Sequence, residues 1–319
     1  MTLLSIIIPC FNSEKFVDKI IEMLLRQDFL ECELILVNDG STDDTLSILR
    51  KYESLKNNIF VINQPNRGVS AARNIGLFQA KGKYVYFLDS DDTLAEGSLA
   101  HFKQIITQHP DCQMFAFGYE TRRDGCKVKS YVYPFFDTQE MSGRTLMNNY
   151  LNKKLCVHIC SCIYDRHFLQ KYKFHFREEV KMGEDILFYL SIMLKVDKMY
   201  YSARLSYIYQ LHENSITKGR RLYSKEVYGI LIYLQDFFNK VAKNDKSMQK
   251  SINFFLSLYY LSHLRRYLRS DLKSKEINVL FISDGKIRYR RNYSGNIAYW
   301  FLLKLSMLIP VKLILKIWK

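Results

Sequence analysis

Short apolar runs alternate with amphipathic stretches through the N-terminal third of the chain. The apolar runs predict four buried strands, at Leu3–Pro9, Glu33–Val37, Ile59–Ile62 and Lys83–Leu88. Apolar positions recur at helical spacing between them, as on a face formed by Phe16, Ile20, Met23 and Leu24. Further helices are predicted at Thr45–Tyr52, Ser70–Gln79 and Ser98–Thr107. This alternation predicts an α/β fold with a mostly parallel sheet flanked by helices.

Polar residues cluster where each predicted strand ends. These clusters are Pro9–Asn12, Asn38–Ser41, Gln64–Gly68 and Asp89–Asp92. Because ligands of parallel α/β sheets bind at the carboxyl ends of the strands, we expect the four clusters to line one crevice.

The strongest local signal is the apolar run at Lys83–Leu88, which ends in Asp89, Asp91 and Asp92. Alternation along a strand would point Asp89 and Asp91 the same way. Paired carboxylates suit Mg²⁺ or Mn²⁺ bound to a diphosphate. The alternative is an acidic turn in which Asp92 or Thr93 caps the next helix.

The later part of the chain is less regular. Met114–Gly118 and the stretch around Tyr131 suggest extra strands or a loop excursion, Met182–Phe188 opens a helix, and Tyr207–Tyr209 is strand-like. The net charge of +15 is carried by the C-terminal third, since 21 Lys+Arg and 6 Asp+Glu follow from Ile216 onward. We therefore expect two domains, residues 1–217 and a basic helical region at 218–319, with helices at Val227–Phe238, Ile252–Leu268 and Ile297–Ile317.

The charge distribution and the cysteines limit the possible partners and location. A balanced first domain disfavours a nucleic-acid-binding protein, and the seven cysteines include no CxxC pair. No signal peptide or membrane-spanning stretch is recognised, which favours a cytoplasmic protein with reduced thiols. The helix at Ile297–Ile317, kinked at Pro310, combines apolar bulk with a lysine face. It suits the surface of an anionic membrane, although packing on the catalytic domain is the alternative.

Five motifs occur in a characteristic order: SIIIPCFN at Ser5–Asn12, ELILVNDGSTD at Glu33–Asp43, NRGVSAARNIG at Asn66–Gly76, LDSDD at Leu88–Asp92 and GED at Gly183–Asp185. Together they resemble the family-2 inverting glycosyltransferases, and the resemblance covers roughly residues 1–217. It implies a GT-A fold and a nucleotide-sugar donor, most often a UDP-sugar, used with Mn²⁺ or Mg²⁺. It also implies a glycan or lipid-linked acceptor in bacterial cell-surface polysaccharide or lipopolysaccharide synthesis at the inner face of the cell membrane.

The resemblance assigns roles to individual acids. Asp91 is the metal ligand, Asp89 contacts the ribose or the metal's water shell, and Ser90 is a spacer whose backbone touches the nucleotide. Asp185 is the general base and Glu184 orients the acceptor. The alternative for Glu184 and Asp185 is favourable negative charge at a helix N-terminus.

The nucleotide contacts are also implied by resemblance. Pro9 and Phe11 flank the base, Asp39 accepts the uracil imide N–H, Asn66 contacts the base, and Arg73 contacts the diphosphate. Asp39 as a turn residue and Arg73 as a surface charge are the alternatives.

The loop after Tyr209 departs from many relatives, because Gln210 stands near the position of a diphosphate-binding arginine. Ser215 matches a diphosphate contact, and Lys218, Arg220 and Arg221 could supply the missing charge. His212 is either part of the metal shell or a surface histidine.

Two other functions remain open. One is a catalytically idle nucleotide-sugar-binding partner, which the intact acids disfavour. The other is a nucleic-acid-binding or nucleotidyl-transfer protein suggested only by the basic tail.

Overall fold

The computed structural model describes residues 2–212, 223–241, 245–271, 274–284 and 310–317. The chain divides into two compact units. The first comprises Met1–Thr145, Val157–Glu179 and Glu184–His212, and the second Leu146–Cys156, Val180–Gly183 and Glu213–Lys319. The predicted division at residues 217/218 falls outside the described residues and stays a prediction.

The first unit contains a ten-stranded sheet. Its strands are β1 (Leu4–Cys10), β2 (Cys32–Asp39), β3 (Ile59–Gln64), β4 (Tyr84–Phe87), β5 (Thr93–Leu94), β6 (Met114–Arg123), β7 (Cys126–Tyr131), β8 (Gln139–Met141), β9 (Cys162–Asp165) and β10 (Met199–Gln210). The helices along the described chain are α1 (Glu14–Arg26), α2 (Thr45–Leu55), α3 (Val69–Gln79), α4 (Ser98–Gln108), α5 (Gly143–Leu151), α6 (Arg166–Lys171), α7 (Glu184–Met193), α8 (Lys225–Val241), α9 (Lys246–Leu268), α10 (Lys275–Ser283) and α11 (Val311–Ile317). The predicted α/β fold with a mostly parallel sheet is thus confirmed.

The strand order is β3-β2-β1-β4-β9-β6-β10-β5, with β7 paired to β6 and β8 to β10. The pairs β3–β2, β2–β1 and β1–β4 are parallel, so their carboxyl ends meet at one edge of the sheet. Strand β9 runs antiparallel to both β4 and β6, which makes β6 and its parallel partner β10 end at that same edge. We call it the carboxyl edge.

The central strands are continuous apolar runs because helices cover both faces of the sheet. Every residue of β1 and of β2 is buried. Helix α1 buries a different face from the predicted one: Val17 and Ile21 lie in the core beside Ile20 and Leu24, whereas Phe16 and Met23 lie at its margin.

Helix α3 lies very close to β1. A Cβ atom built on Gly76 would lie 2.4 Å from Ile7 Cγ2, a distance that only glycine can satisfy without movement. This close approach places the first turns of α3, and with them Arg73, against the centre of the sheet.

The second unit is helical in its described residues. The Tyr223 hydroxyl and His263 Nδ1 are hydrogen-bonded at 2.7 Å, and both residues are buried with Phe281. No helix in the described part of the chain combines the length and the apolar character needed to cross a bilayer. Of the predicted C-terminal helix only Pro310 and α11 are described, so the kink and its membrane role stay predictions.

Candidate active site

The three aspartates after β4 lie in a turn rather than on a strand. β4 ends at Phe87, and the Asp92 backbone N–H donates to the Asp89 carbonyl at 3.2 Å. The alternation that was expected to align Asp89 with Asp91 is therefore wrong. Helix capping by Asp92 or Thr93 is wrong as well, because α4 begins at Ser98 after Gly97.

Asp92 is a structural carboxylate that ties the turn to β10. Its Oδ2 accepts a 2.5 Å hydrogen bond from the Tyr207 hydroxyl, and its Oδ1 accepts one from the Gln210 backbone N–H at 2.8 Å. Burial, together with Asp89 and Asp91, raises the pKa of Asp92 well above its usual range. Both oxygens are thus used inside the protein.

Arg73 of α3 joins the two acid clusters that the sequence places far apart. Its Nη2 lies 2.7 Å from Asp89 Oδ1, and its Nη1 lies 3.0 Å from Glu184 Oε1. The Arg73 side chain is only 4% exposed, so its alternative as a surface charge is wrong. The guanidinium is also 5.3 Å from the Phe176 ring centroid. The predicted acid clusters at residues 89–92 and 184–185 therefore lie in one site.

Glu184 and Asp185 form the first turn of α7. Burial raises the pKa of Glu184, with a further contribution from Asp185, against the lowering effect of Arg73. Burial also raises the pKa of Asp185, again opposed by Arg73. A carboxylate with a raised pKa is a stronger proton acceptor than an exposed one.

Asp89 and Asp91 have opposite electrostatic environments. Burial would raise the pKa of Asp89, but Arg73 and His158 outweigh it and hold that pKa below its usual value. Burial and the Asp89 charge raise the pKa of Asp91, with His212 opposing them. Asp89 is thus an ion-paired anion, while Asp91 lacks a strong cationic partner among the residues described.

His212 lies directly beside Asp91. Its Nε2 is 3.3 Å from the Asp91 carbonyl oxygen and 3.7 Å from Asp91 Oδ2, and its ring packs on Phe16 at 4.9 Å. Both side chains are about one-third exposed. The carboxylate of Asp91 suits Mn²⁺ or Mg²⁺.

A second group of potential ligands, formed by Asp89, Asp92 and Cys160, does not suit a hard cation. Their ligand atoms lie within 4.8 Å of one another. However, both Asp92 oxygens are hydrogen-bonded, and burial beside the aspartates raises the pKa of the Cys160 thiol well above its usual range. A protonated thiol is a poor ligand for Mg²⁺ or Mn²⁺.

Asp39 holds the loop between β3 and α3. Its Oδ1 accepts from Gln64 Nε2 at 2.7 Å and from the Arg67 N–H at 2.8 Å, and its Oδ2 accepts from the Gly68 N–H at 2.8 Å. Gly40 follows at φ +70°, where an added Cβ would lie 2.5 Å from the Asn66 backbone nitrogen. The Asp-Gly turn and the Asn66 loop are therefore packed together at the carboxyl edge.

The remaining candidate nucleotide contacts lie at the same edge. Pro9 is buried within β1, Phe11 is 51% exposed, and Asn66 is exposed. Ser90 Oγ is 2.9 Å from Ser13 Oγ, which links the aspartate turn to the start of α1. Ser215, Lys218, Arg220 and Arg221 lie outside the described residues.

His158 was not found from the sequence. Burial lowers its pKa to about 4, with Arg73 opposing and Asp89 favouring protonation, so it is neutral near pH 7. Its ring stacks on Tyr207 at 5.2 Å and on Tyr209 at 5.5 Å. His158 lies four positions before β9 and in none of the five motifs. No local sequence pattern therefore identifies it as a site residue.

The family can now be identified by comparison. The model of the family described as "Glycosyl transferase family 2" matches residues 5–173, which is more than half of the chain. The chain belongs to glycosyl transferase family 2. The resemblance read from the five motifs is thereby confirmed.

The chain is similar over most of its length to two proteins of Bacillus subtilis strain 168. The chain is 30% identical over 220 residues to the uncharacterized glycosyltransferase EpsJ of Bacillus subtilis strain 168, covering 68% of this chain and 63% of EpsJ. It is 30% identical over 305 residues to the minor teichoic acid biosynthesis protein GgaA of the same strain, covering 88% of this chain and 64% of GgaA. The chain thus spans less than two thirds of the length of these relatives.

Two solved structures share the fold of this chain. Residues 1–349 of Staphylococcus aureus TarS in complex with UDP superpose with a TM-score of 0.69 at 23% identity, covering 90% of this chain and 80% of that chain. The mannosyltransferase PcManGT of Pyrobaculum calidifontis with GDP-Man and Mn²⁺ gives a TM-score of 0.57 at 14% identity, covering 99% and 87%. At these identities the likeness establishes the fold alone.

Proposed function

We propose that this protein is a metal-dependent inverting glycosyltransferase of bacterial cell-surface polysaccharide synthesis. It would transfer a hexose or N-acetylhexosamine from a UDP-sugar to a hydroxyl of a glycan or lipid-linked acceptor. The observation that carries the proposal is the Arg73 bridge, because it places Asp89 and Glu184 in one site at the carboxyl edge. The UDP and UDP-GlcNAc complexes of TarS support a UDP-N-acetylhexosamine as the first donor to test.

Inverting transfer needs a proton acceptor on the side of the sugar opposite the leaving diphosphate. We assign this role to Asp185, whose partly buried carboxyl has a raised pKa. Glu184 is restrained by Arg73 at 3.0 Å and is suited to orient the acceptor hydroxyl. Both acids are partly buried, which strengthens their electrostatic interaction with the acceptor proton.

Asp91, with His212 beside it, would hold the metal. A bound Mn²⁺ or Mg²⁺ would neutralise the negative charge that develops on the departing diphosphate. Asp89 is committed to Arg73 and is better placed to contact the ribose or the water shell of the ion than to serve as a direct ligand.

The nucleotide would lie over β1 and β2. The exposed ring of Phe11 offers a stacking surface for the base, and Asp39 retains one acceptor site on Oδ2 for an imide N–H. Pro9, Asn66 and Ser90 flank the same edge, and Ser215 stays a proposed diphosphate contact. We also keep the proposal that the basic C-terminal region brings the enzyme to the inner membrane surface.

Hydrolysis of a panel of UDP-sugars by the purified protein tests this function. We expect one UDP-sugar to be cleaved with Mn²⁺ or Mg²⁺ and not after chelation. Asp111→Asn is the matched control for the substitutions Asp91→Asn and Asp185→Asn, since Asp111 is exposed near the amino end of β6, at the opposite edge of the sheet. If no nucleotide sugar is hydrolysed or bound under any of these conditions, the proposal is wrong.

A further inference from the structure

His158 is a partly accessible histidine of the first unit whose ring is held in one orientation. Its Nδ1 accepts a 3.3 Å hydrogen bond from the Cys160 backbone N–H, and its own backbone N–H donates to Ser161 Oγ at 2.9 Å. The ring also stacks on Tyr207 at 5.2 Å and on Tyr209 at 5.5 Å. The imidazole is therefore fixed both by the short helical turn that follows it and by two rings of β10.

The hydrogen bond at Nδ1 decides which ring nitrogen carries the proton. A nitrogen that accepts a backbone N–H carries no proton itself, so the proton of the His158 ring is on Nε2. Nε2 forms no hydrogen bond within the part of the chain that the structure describes. It is also not among the buried side-chain atoms that lack a hydrogen bond there. The Nε2–H group is thus a donor that a ligand can reach.

His158 lies in the same recess as the acids that Arg73 bridges. The charges of Asp89, Arg73 and Glu184 all act on the pKa of its imidazole, and among these charges that of Asp89 has the largest effect. Burial lowers this pKa to about 4 although the residue is partly accessible, as expected of a group that lines a narrow recess. Asp185 is not among the groups that shift it, so His158 lies nearer to Asp89 than to the proposed general base.

A hydroxyl group is the ligand that suits this part of the recess. The Nε2–H group of His158 donates and has no lone pair for a metal ion, whereas the carboxylates of Asp89 and Glu184 only accept. The two carboxylates outnumber the one guanidinium of Arg73, which disfavours a phosphate. A hydroxyl both accepts and donates, so it can take the hydrogen bond of Nε2 and give its own proton to a carboxylate.

We propose that His158 Nε2 donates a hydrogen bond to a hydroxyl of the donor hexose and thereby helps to select the sugar. This inference rests on the proposed function and adds a residue that determines its sugar specificity. The donor sugar is favoured over the acceptor because His158 lies on the side of Asp89, beside the proposed nucleotide and metal, rather than on the side of Asp185. A polar group that is left unpaired by the wrong sugar discriminates more strongly than a missing apolar contact does.

Titrations with UDP and with UDP-sugars in the presence of Mn²⁺ test this inference. The panel is UDP-GlcNAc, UDP-GalNAc, UDP-Glc and UDP-Gal, and the sugar that the wild type binds best is then compared with its 3-deoxy, 4-deoxy and 6-deoxy analogues. In the wild type, removal of the contacted hydroxyl should weaken binding by roughly fivefold or more. UDP itself has no hexose and serves as the reference ligand for every variant.

His158→Asn and His158→Phe remove the donor in two different ways. Asn retains an acceptor for the Cys160 N–H, and Phe retains a ring to stack on Tyr207 and Tyr209, but neither has an N–H at the position of Nε2. Each variant should bind the preferred UDP-sugar roughly fivefold or more weakly, and UDP within about twofold of the wild type. Each should also bind the deoxy analogue that lacks the contacted hydroxyl as tightly as the parent sugar.

His101→Asn is the matched control. His101 is also partly exposed, and its ring is hydrogen-bonded to Ser202 Oγ at 3.0 Å and packed edge-on against Phe117. The charges that shift the pKa of His101 are those of Arg204 and Asp137, and none belongs to the candidate site. This variant should therefore keep both the affinities and the deoxy-sugar pattern of the wild type.

Three results would show that this inference alone is wrong. The first is a wild type that binds all three deoxy analogues as tightly as the parent sugar. The second is a folded His158 variant that weakens UDP and UDP-sugar binding equally, as expected of a merely structural residue. The third is a folded His158 variant that keeps the wild-type penalty for every deoxy analogue. Absence of UDP and UDP-sugar binding by the wild type would instead refute the proposed function.

Discussion

Replacement of Arg73 by Met should destabilise the first unit and break the link between the two acid clusters. The guanidinium is almost fully buried and lies 2.7 Å from Asp89 and 3.0 Å from Glu184. Its removal leaves the carboxylates of Asp89 and Glu184, whose side chains are only 26% and 12% exposed. Removing one partner of a buried ion pair costs about 3–5 kcal/mol.

Thermal unfolding followed by circular dichroism measures this cost. A loss of that size lowers Tm by roughly 6–20 °C in a domain of 150–250 residues. Arg26→Met is the matched control, because Arg26 is 78% exposed in an i,i+4 pair with Glu22. Such pairs contribute only about 0.2–0.5 kcal/mol, so its Tm should fall by no more than about 2 °C.

A second substitution distinguishes loss of packing from unpaired charge. Glu184→Gln should raise the Tm of the Arg73→Met variant, since it removes one of the stranded carboxylates. In the wild-type background the same change should raise Tm less than it does in Arg73→Met, because there it also removes a partner of Arg73. If Arg73→Met is as stable as the control, or Glu184→Gln does not rescue it, the buried-bridge interpretation is wrong.

Two further predictions concern stability. Gly76→Ala should lower the free energy of urea unfolding by about 1–3 kcal/mol, because the cost of a Cβ placed 2.4 Å from Ile7 Cγ2 exceeds the helix-propensity gain of up to about 1 kcal/mol. Gly229→Ala is the control and should be neutral or stabilising, since the nearest neighbour of its Cβ would lie at 3.8 Å. Equal effects of the two substitutions would contradict the packing argument. Burial, with Arg266, lowers the pKa of His263 to about 4, below the ordinary value of about 6.5, so the unfolded chain binds the proton more readily than the folded protein. The free energy of unfolding should therefore be highest above about pH 6.5 and should decline toward pH 4, by about 2 kcal/mol at pH 5. Urea unfolding across that pH range should show no such contribution in a folded His263→Gln variant.

The sequence was sufficient to predict the core of the fold, because the parallel strands are long apolar runs with helical periodicity between them. β1, for example, is Leu4–Cys10 where Leu3–Pro9 was predicted, and α3 is Val69–Gln79 where Ser70–Gln79 was predicted. The hairpin of β6 and β7 was predicted only as extra strands or a loop excursion. Its strand β7 is exposed along almost its whole length, so it lacks the apolar run that reveals a buried strand.

Of the candidate site, the motif residues were predicted from the sequence, but the contacts between them were not. The acids that follow β4 and those at the start of α7 are visible in the sequence. Their connection through Arg73 depends on how closely α3 packs against β1. The aspartates were assigned to a strand because an apolar run precedes them, whereas they lie in a turn that the Asp92 side chain ties to β10. Tertiary partners of this kind leave no periodic trace in a sequence.

The central claim is that Asp91 and Asp185 serve the same reaction from two sides of one site. Titration of UDP in the presence of Mn²⁺, paired with donor hydrolysis, tests it on Asp91→Asn and Asp185→Asn. The account predicts that Asp91→Asn loses the metal-dependent part of UDP binding, while Asp185→Asn binds UDP normally and loses about 10²–10⁴-fold in turnover. Normal turnover by Asp185→Asn, or unchanged metal-dependent binding by Asp91→Asn, would contradict it.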